Sequence, residues 1–226
     1  GANKTTSGNV TLSGANTYTG GTTISAGTLK LGNATALGGA SGRVRVSSGA
    51  VLDLNGQNVS YSKALTLNGT GISSGGALIN SSATAATYAG LITLGSASSI
   101  VGGTGSIALS NVGSITGSGF GLTLGGDAGG TLSSVLATGA GTLTKEGAGT
   151  WTLAGANTYT GATTVSAGTL AVNGSLVAGS AVSLASGTTL TGAGTINGLV
   201  TAASGTTITA GAAGAANLTL SGGLTL

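Results

Sequence analysis

Residues 141–172 read GTLTKEGAGTWTLAGANTYTGATTVSAGTLAV, and the core of this stretch occurs twice. VTLSGANTYTGGTTISAGTLKL at 10–31 aligns with WTLAGANTYTGATTVSAGTLAV at 151–172 at a constant offset of 141, with 16 of 22 positions identical. The same offset sets Lys4 on Lys145, so the repeat units extend over 1–32 and 141–172. Within each unit, phrases such as Val10-Thr11-Leu12 and Thr28-Leu29-Lys30-Leu31 alternate with a period of two, which is the signature of a strand. Corners containing Gly separate them. Between the units the rhythm persists while the motif is lost.

Composition points the same way. Of 226 residues 47 are Gly, only 4% are charged, and Pro, Cys, Met and His are absent. Gly, Ser and Thr are poor helix formers, whereas Thr, Val and Ile favour strands. Apolar residues make up 40% and alternate rather than scatter, which argues against a disordered linker. Gly has no period of three, which excludes collagen. The net charge of +3 rests on six basic and three acidic residues. Arg43 and Arg45 are the densest basic spot, with no basic stripe and no interleaved aromatics, so nucleic acid is not an expected partner. No apolar run is long enough for a transmembrane helix. The sequence starts in the middle of a repeat pattern, as a processed form or an excised piece would.

Many short strands joined by Gly corners, without helices, allow a sandwich, a barrel or a solenoid. The repeats favour the last. We expect one all-β domain over 1–226: a parallel β-helix (β-solenoid) of about 10 coils, near 20 residues per coil, with no helical domain. Leu, Ile and Val would form inward ladders in a narrow core without need of large aromatics. Strands are expected near Ala64–Leu67, Ala77–Ile79 and Leu132–Leu136, among others.

The stretch 141–172 closely resembles the passenger-associated repeat of bacterial autotransporters. That repeat has a Gly-x-Leu-x-Lys lead, a Gly-x-Gly-x-apolar-x-Leu phrase, then Gly-x-Asn-x-Tyr-x-Gly-x-Thr and Gly-x-Leu. The first unit keeps all but the lead-in, and 190–226 is similar to the final coils of such passengers. The resemblance implies a right-handed β-helix of the pectin-lyase-like passenger type. It also implies secretion to, or display on, the cell surface of a Gram-negative-type bacterium. It implies no catalytic residues.

Candidate chemistry is sparse. The acids Asp53, Asp127 and Glu146 lie in separate segments, with no local pair for acid–base work. Without His or Cys, the usual nucleophilic triads are impossible. Lys4, Lys30, Lys63 and Lys145 form no Ser–Lys motif. Asp127, in a Gly-rich run, would be one calcium ligand where several repeats with an Asp are needed. No enzyme activity, metal or cofactor is expected. Asn16, Tyr18 and Gly20, with their counterparts Asn157, Tyr159 and Gly161, are expected at corners. There the Asn side chains bond turn backbone, the tyrosine hydroxyls are wet, and the repeat lysine lies at the surface. Carbohydrate stacking on the tyrosines is the functional alternative. Trp151 is expected in packing. Thr-x-Thr pairs at 17/19, 142/144, 150/152, 158/160, 189/191 and 207/209 raise an ice-binding solenoid, against which their irregular spacing counts.

The sequence therefore points to a structural stalk, or a filament subunit that self-associates head to tail through uncapped ends near Val10, Leu12, Leu224 and Leu226. The alternative is an adhesin-type passenger segment that contacts a host surface or glycan.

Overall fold

In the computed structural model, which describes residues 1–211 and 217–226, the chain winds into a parallel β-solenoid of about 10 turns. Three walls recur in each turn. The first wall begins with Ala2–Lys4, and Ala2 sits on Thr22, Thr22 on Val44 and Val44 on Leu65, so successive turns take 20, 22 and 21 residues. The second wall runs from Asn9–Leu12 through Gly27–Leu31 and Ala50–Asp53 to Leu224–Thr225. The third gains regular strands at Asn58–Val59 and extends to Thr207–Ile208. Every strand pairing among the described residues is parallel, as stacking of one chain direction requires.

Alternation fills the interior. In Val44–Val46 both valines are buried and Arg45 is exposed, and Leu65–Gly69 likewise buries Leu65 and Leu67. Ladders such as Ile24–Val46–Leu67–Leu94 stack one apolar side chain per turn. The core is not free of large aromatics, however. Trp151, Tyr88 and Tyr159 are the largest fully buried side chains. Trp151 and Tyr88 lie in strands of the third wall and Tyr159 in a corner, and the Trp151 ring packs over Gly130, which has no side chain to displace it.

Turn length varies because corners absorb insertions. The step from Leu65 to Ile92 is 27 residues. It contains a 3-10 turn at Ile72–Ser74, pinched off by a bridge between Gly71 and Gly76. The expected strand Leu132–Leu136 is instead split between Gly130–Leu132 and Val135–Ala137. A wall-to-wall corner falls at Ser133-Ser134, where apolar spacing alone gives no break.

The two repeat units do not sit on the same walls. In the first, Ala2–Lys4 lies in the first wall and Asn9–Leu12 in the second. In the other, Leu143–Lys145 lies in the second wall and Thr150–Leu153 in the third. Six steps along the first wall lead from Asn3 to Ala137, and Leu143–Lys145 is one wall further on. The offset of 141 is thus six turns plus one wall. The motif encodes a strand–corner–strand path that can start on the first wall or on the second. One glycine shows what it requires. Gly27 and Gly168 occupy the same repeat position at φ +66° and +65°, and a Cβ there would fall 2.4 Å from the carbonyls of Gly8 and Gly147 respectively. Only Gly takes this conformation without strain.

Candidate functional site

The repeat lysine is buried, contrary to the surface position expected from its charge. Period two places Lys145 on the inward face with Leu143, stacked on Leu124 below and Val165 above. Its ammonium reaches the corner and donates to the carbonyls of Glu146 (2.9 Å), Gly147 (2.8 Å) and Ala167 (2.9 Å). Lys4 repeats the arrangement with the carbonyls of Thr6 and Ala26. The lysine ties its own corner to the next turn by satisfying carbonyls that bend out of the ladder. Burial lowers the Lys145 pKa from 10.5 to about 8, with the Glu146 carboxylate opposing the shift.

The tyrosines also depart from expectation. The Tyr159 hydroxyl is not wet: it lies 2.6 Å from Thr163 Oγ1, which lies 2.9 Å from Ser180 Oγ, all buried. A phenol taken into a core needs such a partner. Burial raises its pKa, and the hydrogen bonds to Ser180 and Thr163 oppose the rise. Tyr18 makes the matching 2.7 Å contact to Thr22 but stays half-buried. In the first unit the register puts Gly42 where Ser180 stands, and the Lys63 ammonium, which donates to Gly39 O, lies 5.8 Å from the centre of the Tyr18 ring.

Asn157 bridges three turns. Its Oδ1 accepts from the Leu136 N–H (2.9 Å), and its Nδ2 donates to Gly155 O (2.8 Å) and Ser175 O (3.2 Å). Asn16 makes only the upward half, donating to Ala36 O at 2.7 Å. Among the described residues no turn lies beneath it. Gly20 and Gly161 pass close under or over neighbouring backbone: a Cβ on Gly161 would lie 2.3 Å from Gly141 O, and one on Gly20 2.7 Å from Gly1 N. At the ends, Val10 and Leu224 are exposed and Leu226 almost fully so, whereas Leu12 is half-buried. A recess of about 180 Å³ on the first turn is lined by Ala2, Lys4, Val10, Leu12 and Leu29, among others.

One cluster has the residue types of catalysis. Lys30 Nζ lies 3.3 Å from Ser81 Oγ and 3.9 Å from Asp53 Oδ2, and Ser81 donates to Asp53 at 2.6 Å. Lys30 pairs with the carboxylate as an ammonium and offers Ser81 no lone pair. Asp53 also accepts from the N–H groups of Asn55 and Ser81, so the group reads as a corner clamp. Asp127 is exposed at its corner, and no group of three or more metal-ligating side chains occurs among the described residues. Nor, among them, is any helix long and apolar enough to cross a membrane.

The threonines are more ordered than their spacing suggests. On the third wall Thr150 pairs with Thr169, Thr169 with Thr189 and Thr189 with Thr207. Two residues along, Thr152 pairs with Ala171 and Ala171 with Thr191. Thr209 follows, with its Oγ1 3.2 Å from that of Thr191. The expected irregularity is therefore corrected: turns of 19, 20 and 18 residues, and Ala171 within one pair, hide a two-rank array.

This architecture defines a repeat-built β-solenoid. Residues 3–31 and 143–172 each match the family described as Passenger-associated-transport-repeat, so both units are repeats of the autotransporter passenger type. No curated protein and no solved structure matches the chain.

Proposed function

We propose that the protein is a structural, non-catalytic element of a secreted or cell-surface passenger: a stiff stalk whose terminal turns stack head to tail on a second copy and so build a filament. The repeat match supports the passenger setting. Continuous ladders support stiffness, and about 10 turns at roughly 4.8 Å give a rod near 50 Å long. The observation that carries the stacking reading is Asn16. Asn157, the same residue in the same motif, takes the Leu136 N–H from the turn beneath, and Asn16 donates to Ala36 O in the turn above, so the motif joins each turn to its neighbours through the same side chain. Joining the end of one copy to the start of the next uses two different surfaces and therefore propagates.

Negative-stain microscopy and light scattering over a concentration series test the idea. Filaments one coil wide are expected, and Asn16→Asp, which sets a charge at the joint, should shorten them. A chain that stays monomeric at high concentration refutes stacking. If that monomer binds cells or a glycan array, it is an adhesin segment instead.

A further inference from the structure

We propose that the last four turns of the third wall form an ice-binding face. Three observations bring this about. First, the two ranks of threonine are rigidly displayed. Strands fix their spacing at about 4.8 Å between turns and about 6.6 Å between Thr-x-Thr partners. The β-branched side chain holds few rotamers, and the inward residues of the same strands, Trp151, Leu170 and Leu190, are packed core. The last pair is locked further, because Thr191 donates to Ala210 O and Thr209 to Thr191. A net of hydroxyls and methyls on this grid falls in the range of the in-plane repeats of hexagonal ice. It can anchor ordered water without paying to order itself.

Second, the region is uncharged. All nine charged residues lie between Lys4 and Glu146, and residues 147–226 contain no Asp, Glu, Lys, Arg or His. Charged side chains would hold their own hydration shells and disorder a lattice of water. A charged surface or nucleic acid finds no complement here. Third, the aromatics of this region point inward: Trp151 and Tyr159 are fully buried. A polysaccharide face would turn such rings outward to stack on sugar, and a protein hot spot would want exposed aromatic or Arg anchors. The occupant that remains suited to a flat, neutral, repeating hydroxyl surface is crystalline water. The proposal is independent of the stalk reading, since a monomeric rod presents the same wall.

The full chain is assayed by nanolitre osmometry, ice-crystal shape and inhibition of ice recrystallisation. Measurable hysteresis with faceted crystals is expected. Thr191→Tyr, outward in a strand where Tyr is well tolerated, should abolish it, while Thr164→Tyr on the second wall should leave it intact. Trp151 fluorescence reports that each variant is folded. Ala171→Thr completes the second rank and should raise the activity at least twofold, which keeps the proposal testable if the Tyr variant fails to fold. No ice shaping by the wild-type chain, equal loss from Thr164→Tyr, or binding to microcrystalline cellulose or chitin in place of ice overturns it.

Discussion

Replacing Asn157 and Asn16 by alanine, one at a time, asks whether a motif residue has a fixed worth or one set by its place in the stack. Asn157→Ala orphans the buried Leu136 N–H, whose acceptor is Asn157 Oδ1 at 2.9 Å. An unsatisfied buried donor costs about 1–3 kcal/mol. The two lost Nδ2 bonds cost less, because Ser175 O keeps the Asn157 N–H at 2.9 Å and Gly155 O keeps the Ser175 N–H at 3.2 Å. The small cavity left by the amide adds to this, so the expected total is about 2–4 kcal/mol. Asn16→Ala removes a single bond to Ala36 O, a carbonyl that the Tyr18 hydroxyl also approaches at 3.4 Å. It orphans no buried donor, so about 0.5–1.5 kcal/mol is expected. Solenoids need not unfold in two states, so hydrogen exchange is the better assay. The Leu136 amide should exchange roughly tenfold or more faster in Asn157→Ala, and nothing comparable should occur near residue 16. Equal cost at both positions would refute the bridging argument, as would unchanged protection of Leu136.

Three further outcomes are expected. Titration of the Lys145 ammonium by heteronuclear NMR should give a pKa near 8; because the unfolded lysine, at 10.5, holds its proton longer, stability from this group rises between about pH 8 and 10.5. A midpoint at the ordinary value would mean that the three carbonyls offset its burial. The buried tyrosines act oppositely: Tyr88 and Tyr159 have raised pKa values, chiefly from burial, so their contribution is lost once the pH passes 10, and alkaline melts should show that fall. Trp151→Ala should cost about 3–5 kcal/mol. Trp151→Phe, which keeps a ring but loses the 2.9 Å bond from Nε1 to Gly125 O, should cost much less, and thermal denaturation showing the reverse order would sink that account.

The solenoid was legible because its causes are local. Period-two phrases, Gly corners and a repeat at fixed offset each follow from strand pleat and backbone sterics, and Gly27 and Gly168 mark the corners by conformation alone. Burial of the repeat lysine was missed although its alternation is local: in Leu143-Thr144-Lys145, Lys145 shares the inward face of Leu143. Charge argued against that position, and only the fold supplies the carbonyls that reconcile the two. The same holds for Tyr159, whose partners Thr163 and Ser180 come together across a corner and a turn.

By itself the sequence determined strands, corners, stacking and the two passenger-associated repeats. The tertiary structure decided register. A one-turn step ranges from 18 to 29 residues, and no sequence spacing says which threonine lies above which. Stacking resolves that through backbone hydrogen bonds, which is why two similar repeats come to rest one wall apart. It is also why seven threonines and one alanine, unequally spaced along the chain, form two straight ranks.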